Sequence, residues 1–329
     1  MSDLKRPDLS SHYDDVIDSL KRGRLIPFLG AGVNLSGRDP GKPFVAGQTL
    51  PSGGELALYL AGKARYPEPA TPDSVEGAAK SKPALDLLQV AQYLSITKDE
   101  QKLYDELHDL FDHEYQPSPV HTFFAQLPAL LFARRVRKPH QIIVTTNYDD
   151  LMERAFEAAR PAEAYDLVYY DARLLSQSRA KFLHRPPEGG LNAQPILDPN
   201  SFDLPLNEQS VVMKIHGHVA RNQDSTEDSY VITEDHYFDY PFYNEIPITI
   251  REEFQKRRFL FLGYSLSDWN LRMMFRRIWK DQKLEKESWT VNFHDDPVQR
   301  LFWEKRKVHY IVAGLDDYIQ DLSLKLLGA

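Results

Sequence analysis

The sequence predicts an α/β fold: a mostly parallel sheet with helices on both faces. Three observations predict it. Short, near-continuous apolar runs alternate with longer stretches of helical periodicity, the pattern of strands buried on both faces between crossover helices. Four of the apolar runs lead into small or polar motifs: Gly30-Ala31-Gly32-Val33-Asn34, Thr145-Thr146-Asn147-Tyr148-Asp149, Lys214-Ile215-His216-Gly217, and Phe261-Leu262-Gly263-Tyr264-Ser265-Leu266-Ser267-Asp268. Loops leaving the carboxyl ends of strands in an open α/β sheet meet at the ligand crevice, so these motifs are expected to gather at one small molecule. Finally, 329 residues of which 42% are hydrophobic suffice for a sizeable core.

Taken in order, Asp14 to Leu20 reads as the middle of a short amphipathic helix ending near Gly23. Arg24 to Leu29 reads as a strand, with Pro27 tolerable near a strand start or edge. Ser36 to Gly54 is Gly- and Pro-rich loop; Glu55 to Ala64 resumes a helical pattern, and Ala70 to Pro83 is again loop-like. Helices are expected at Leu85–Leu94 and Lys98–Phe111, before the Pro117-Ser118-Pro119 break. His121 to Ala133 is apolar at helical spacing and ends in the basic cluster Arg134, Arg135, Arg137 and Lys138. The β-branched run Gln141 to Thr146 reads as a central strand, followed at once by a helix from Asp150 to Ala159. Arg185 to Asn207 reads as loop or insertion; further strands are expected at Val211–Ile215, Arg258–Leu262, Trp289–Phe293 and Val308–Val312. A helix over Trp269–Lys283 carries an apolar stripe at Leu271, Met274, Phe275, Ile278 and Trp279, and its Arg272, Arg276, Arg277 and Lys280 read as a solvated face. The expected organisation is one domain over residues 1–329, with a helical insertion around 50–135 and a loop-rich insertion around 160–210.

The formal net charge of −8 argues against a surface that as a whole attracts nucleic acid or anionic lipid, although a local basic patch could. With no cysteine, disulfides and thiolate zinc sites are excluded, which fits a reducing cytoplasm. The polar amino terminus has no signal-peptide core, and no apolar run reaches the ~18 residues of a membrane span. A cytoplasmic location is expected.

The motifs carry chemistry in combination. Gly30 and Gly32 suit a turn whose backbone approaches a phosphate closely, or a tight turn with no ligand; the dinucleotide fingerprint would want a third glycine where Leu35 stands. Asn147 could hold a ribose hydroxyl or a water through its donor and acceptor, and Asn147 or Asp149 could equally cap the following helix. His216, at a strand end before Gly217, is a group able to accept a proton near neutrality. Ser267 or Asp268 should cap the helix behind Gly263 and Ser265.

In this ordered set, from Gly30 to about Asn292, the chain resembles the sirtuin (Sir2) superfamily, and within it the bacterial Sir2-like domains of antiphage defence. Leu50-Pro51-Ser52-Gly53-Gly54-Glu55-Leu56 and Tyr230-Val231-Ile232-Thr233-Glu234-Asp235 are also similar to that branch. The resemblance implies a Rossmann-like NAD-binding fold with a smaller helical module. It implies NAD phosphates on the Gly30–Gly32 loop, with Ala31 and Asn34 beside them, and Thr145, Asn147 and Asp149 lining the nicotinamide-ribose region. His216 would be the catalytic histidine, Gly263 and Ser265 ribose and phosphate contacts, and Asn292 an adenosine-side contact. No metal is expected. The four-cysteine zinc module of protein-deacylating sirtuins is absent, and Val219 to Asp228 is short, polar and acidic instead. Gly37 to Thr49 lengthens the first loop, from which Arg38 could reach a phosphate.

The expected reaction is hydrolysis of NAD+ at the nicotinamide–ribose bond, giving nicotinamide and ADP-ribose, with Asn147 orienting the ribose and His216 accepting a proton. The resemblance implies an effector of abortive infection held in check by assembly: a homo-oligomer, or a separately encoded partner such as a HerA-like ATPase or an Argonaute-type protein. Neither a membrane nor direct nucleic-acid binding is implied. The alternatives are a non-catalytic sensor of NAD or ADP-ribose and an NAD-dependent protein deacylase.

Overall fold

The computed structural model describes residues 9–39, 41–67, 85–160, 163–173, 181–190, 192–238, 240, 246–264, 272, 275–276, 278 and 287–328. Within them the strands are β1 (Leu25–Leu29), β2 (Ile142–Thr145), β3 (Tyr165–Tyr170), β4 (Phe182–Arg185), β5 (Gln194–Pro195), β6 (Ser210–Lys214), β7 (Gly217–His218), β8 (Ser229–Tyr230), β9 (Arg258–Leu262), β10 (Ser288–Asn292) and β11 (Val308–Val312). All but β7 and β8 form one sheet in the order β11-β10-β9-β1-β2-β6-β3-β4-β5, while β7 and β8 pair separately. The sheet is parallel from β11 to β3, and β4 and β5 add antiparallel at one edge.

The strands read as apolar runs because both of their faces are covered. Side chains alternate across a strand, and the cores divide accordingly: Ile26, Phe28, Ile142 and Val144 face one core, Leu25, Leu29 and Ile143 the other. The second core is closed by α1 (Ser10–Lys21), α5 (Pro119–Ala133), α6 (Leu151–Ala158) and α10 (Leu315–Gly328). The first is closed by α8 (Ile248–Lys256), Phe275, Ile278 and Trp303 of α9 (Pro297–Glu304). Each fully buried Leu, Ile or Phe contributes roughly 1.5–3 kcal/mol, which offsets the ordering of the strands.

A third core belongs to the helical module α2 (Gly53–Ala64), α3 (Leu87–Thr97) and α4 (Glu100–Phe111), together with Val219, Tyr230 and Ile232. The Pro51-Ser52-Gly53-Gly54-Glu55 stretch starts α2 as a capping box: Ser52 Oγ accepts from the Glu55 N–H at 3.3 Å, and Glu55 Oε2 from the Ser52 N–H at 2.8 Å. Ser118 and Pro119 open α5 in the same spirit, proline standing where no backbone donor is needed. Short α7 (Glu234–Phe238) packs near α3.

Three strands, β3, β4 and β5, stand in the stretch expected to be a loop-rich insertion around 160–210, and β3 pairs in parallel with β6 as a full member of the sheet. β3 and β4 carry Asp166 and His184, so neither reads as an apolar run. Asp166 is nevertheless buried, because His184 Nε2 lies 2.6 Å from its Oδ1 and Gln209 Nε2 donates to its Oδ2 at 2.5 Å. The expected loop at Ala70–Pro83 and most of the Trp269–Lys283 helix, with Ser267 and Asp268, lie outside the described residues.

Candidate functional site

Strand register explains how motifs so far apart in sequence come together. Leu29 stands opposite both Thr145 and Leu262, Thr145 opposite Lys214, and Leu262 opposite Val291. One residue further, at the carboxyl edge, come Asn292, Gly263, Gly30, Thr146 and Ile215; Asn147 and His216 follow. Backbone bonds carry the ladder into the loops: Gly30 N–H to Leu262 O at 3.0 Å, Thr146 N–H to Leu29 O at 3.1 Å, and Ile215 N–H to Thr145 O at 3.0 Å. After β1 the chain crosses toward β2, whereas from β9 it continues to β10 on the other side. The winding therefore reverses between β1 and β9, where the ligand crevice of such a sheet opens.

Gly30 and Gly32 form one lip of that reversal and Gly263 the other. A Cβ on Gly30 would stand 2.6 Å from the Gly263 oxygen, and one on Gly32 would stand 2.7 Å from Gly263 Cα. Gly263 itself has φ +61°. The glycines are thus demanded by backbone packed on backbone. Gly32 donates its N–H to Gly263 O at 2.8 Å, so the amides of Gly30 and Gly32 are both engaged within the protein. Ala31 is exposed at the start of a 3₁₀ turn over Ala31–Leu35. Ser265 lies outside the described residues.

Behind the lips runs an amide–carboxylate chain in which Asn147 and Asp149 are buried and Asn34 is half-buried. Asn147 donates through Nδ2 to Gly30 O (3.4 Å) and to Asn34 Oδ1 (3.3 Å), and its own N–H goes to Thr145 Oγ1 (3.0 Å). Asn34 Nδ2 donates to Asp149 Oδ2 at 2.7 Å, while Asp149 Oδ1 accepts from the Leu151 N–H at 3.2 Å. Asp149 therefore tethers the start of α6 and supports Asn34 together. Among the described residues nothing donates to Asn147 Oδ1, which is left as an acceptor.

His216 is buried between two tyrosine rings, Tyr237 and Tyr240, at 5.7 and 5.8 Å between centroids, both edge-on. Its backbone oxygen accepts from Val231 N–H at 2.8 Å, and the Tyr240 hydroxyl donates to Ile215 O. Asn292 ends β10 with Nδ2 on Thr290 Oγ1 at 3.0 Å, and its oxygen accepts from Ala313. Arg38 does not extend toward the lips. It forms a two-pronged pair with Glu55, Nη2–Oε1 at 2.6 Å and Nη1–Oε2 at 2.9 Å, and this hydrogen bonding holds the Glu55 carboxyl down at about 2.

Lys214 escaped the sequence reading as a structural element. It is wholly buried, and its ammonium donates to Tyr148 O at 3.0 Å, to Asp149 O at 2.5 Å and to Glu153 Oε1 at 2.9 Å. It therefore clamps from below the loop that carries Asn147. The signal was a lysine closing an apolar strand, but its acceptors are two strands' connections away in sequence. His218 Nδ1 lies 3.6 Å from Glu153 Oε1, and burial, with the Lys214 charge, drives its imidazole well below the ordinary value.

Where the resemblance would put a zinc module, Val219–Asp228 is held by one carboxylate. Asp228 accepts from the Ala220 N–H at 2.6 Å and the Tyr230 hydroxyl at 2.7 Å, and lies 2.8 Å from His108 Nδ1 of α4. Among the described residues no three His, Asp or Glu side chains converge as metal ligands. A cleft of about 490 Å³ lies elsewhere, between the start of α1 and α10, lined by Tyr13, Gly314, Asp317, Tyr318, Asp321 and Lys325 among others; it shares no residue with the candidate set.

A doubly wound sheet with its reversal point between two glycine lips defines the class of open α/β proteins that bind ligands at strand ends. Within that class, the sequence profile of the SIR2-like domain matches residues 141–311. The chain belongs to the SIR2-like domain family. It is 26% identical over 220 residues to the NAD(+) hydrolase ThsA of Acinetobacter baumannii (strain 532279), a match taking in 66% of this chain and 36% of that protein. The match thus covers little more than a third of that relative's length. A solved structure of a Sir2 homologue mutant in complex with 2′-O-acetyl ADP ribose aligns over 95% of this chain and 97% of its own, with a TM-score of 0.38 and 11% identity. No described helix is long and apolar enough to cross a membrane.

Proposed function

We propose that this protein hydrolyses NAD+ at the nicotinamide–ribose bond, giving nicotinamide, ADP-ribose and a proton. The observation that carries the reading is the Asn147 carboxamide, whose nitrogen is fixed by Gly30 and Asn34 while its oxygen is left to accept. Similarity to a relative that is an NAD(+) hydrolase supports it.

The bond from the ribose C1′ to the pyridinium nitrogen breaks with its electrons going to nicotinamide, which departs neutral and needs no general acid. The ribose develops oxocarbenium character, as in glycoside cleavage. Asn147 accepts from a ribose hydroxyl or from the attacking water, and His216 takes the proton as water adds to C1′. Gly30, Ala31, Gly32 and Gly263 border the pyrophosphate, and Asn292 borders the adenosine side. Asp149 and Thr145 act through Asn34 and the Asn147 backbone. In this reading the protein is the effector of a defence system that ends in loss of the cell's NAD, and its activity is restrained by self-assembly or by a partner protein.

Nicotinamide release from NAD+ by the purified chain tests this. His216→Ala and Asn147→Ala should each lower turnover roughly 10²–10⁴-fold while the melting transition is kept. Wild-type turnover in His216→Ala would remove the histidine from the mechanism. Binding of ADP-ribose without release, in the chain and in complexes isolated from its host, would favour a sensor.

A further inference from the structure

The amino edge of the sheet, opposite the candidate crevice, is lined by basic runs. Lys21-Arg22-Gly23-Arg24 precedes β1, Arg134 to Lys138 precedes β2, Lys256-Arg257-Arg258 opens β9, and Lys305-Arg306-Lys307 precedes β11. Strand pairing sets these runs side by side. Arg258 donates its N–H to Arg24 O at 2.8 Å, and Ser288 of β10 donates to Lys307 O at 3.1 Å. Lys138 lies against Gly23, where an added Cβ would meet the Lys138 Cβ at 3.3 Å. With strands ~4.8 Å apart, the line from β2 to β11 extends roughly 19 Å.

Part of the line is neutralised, Arg22 by Asp18, Lys256 by Glu252 and Arg257 by Glu253, with Glu287 standing before β10, so the unpaired positive charge gathers at the β1–β2 end of a chain whose net charge is −8. Arg24, Arg135, Arg137 and Lys138 are exposed, and among the described residues none of them has a carboxylate partner. Close like charges held on a rigid edge repel one another, and a linear polyanion relieves this while releasing its own counterions. At one end, where α5 runs into this edge, Phe132 is 74% exposed, two residues before Arg134. An exposed aromatic ring within six residues of exposed cations offers the two contacts that single-stranded nucleic acid uses, phosphates on the charges and a base on the ring. A duplex hides its base faces, and an acidic peptide has no use for the ring.

We propose that the amino edge is a docking surface for single-stranded nucleic acid, with Arg24, Arg135, Arg137 and Lys138 on the phosphates and Phe132 stacked on a base. The proposal does not depend on the reaction assigned to the opposite edge.

Fluorescence anisotropy with a labelled oligothymidylate of ~20 nucleotides, longer than the ~4–16-nucleotide footprints of known binders, tests it on the full chain. Binding should weaken linearly in log salt, with a slope of about 0.7 per phosphate contact. The fourfold variant R24E/R135E/R137E/K138E should bind at least about tenfold more weakly and flatten that slope. Phe132→Ala should weaken binding roughly fivefold or more and leave the slope alone. All five side chains are exposed, so unchanged melting curves are expected, and R137A/K138A gives a milder reading should the fourfold variant fail to fold. Absence of binding at low salt, equal binding by the charge-reversed protein, equal binding of a duplex, or equal competition by polyglutamate would each overturn the assignment.

Discussion

The two edges of the sheet treat polar groups in opposite ways. At the carboxyl edge Asn147, Asp149 and Lys214 are buried and Asn34 half-buried, all of them bonded to one another or to backbone. At the amino edge Arg24, Arg135, Arg137 and Lys138 are exposed, alike in sign and without carboxylate partners among the described residues. Burial is the physical divide. A buried polar group must be bonded or it costs the fold several kcal/mol, whereas an exposed charge is solvated and nearly free. The carboxyl edge is therefore held in one arrangement by its internal bonds, and the amino edge keeps its charge in solvent.

The contrast predicts where substitutions hurt. Lys214→Met should have the largest effect: it strips the clamp from Tyr148 O and Asp149 O and leaves the Glu153 carboxylate buried and uncompensated, at a cost of about 3–5 kcal/mol. Removing the exposed Arg137 side chain should shift stability by no more than about 0.5 kcal/mol. Urea unfolding measures both, and similar values for the two would erase the distinction between the edges.

Gly263→Ala comes next. Its Cβ would stand 2.6 Å from the Gly32 carbonyl carbon, at a backbone φ of +61°. Overpacking of this kind costs roughly 1–3 kcal/mol, with another ~1–2 kcal/mol for the left-handed conformation. Gly62→Ala in α2, where nothing lies within 4 Å, should be neutral or stabilising by up to about 1 kcal/mol. If both alanines were tolerated alike, the two lips would not be held in the contact described.

The smallest effect is a pH slope. Burial pushes His121, against Ser118 at the start of α5, down to about 4. Its folded value lies below its unfolded one, so the native state binds fewer protons. The stability it contributes is full above about 6.5 and is lost as the pH falls from there through about 4. His121→Gln should flatten the loss of melting temperature over that window. An unchanged slope would exclude the imidazole as its source.

Much of this was legible in the chain. The strands β1, β2, β6, β9, β10 and β11 announced themselves because burial on two faces leaves no room for alternation. The loop motifs at their ends were legible as motifs, and Gly30 with Gly32 as a turn. β3 was not, because Asp166 breaks its apolar run and is satisfied only by His184 and by Gln209, 43 residues on. Nor was the role of Lys214, whose acceptors lie more than 60 residues away. Asp149 could be weighed as a cap or as a site residue; in the fold it tethers α6 and carries Asn34 as well.

By itself, then, the sequence determined the class of fold, six of the parallel strands and the family to which the chain belongs, since hydrophobic period and loop chemistry are local properties. Only the tertiary structure decided that the glycines are there for each other, that a buried lysine clamps the Asn147 loop, and that the basic runs before β1 and β2 stand side by side. Each of these depends on strand register, which sets residues side by side that the chain holds far apart.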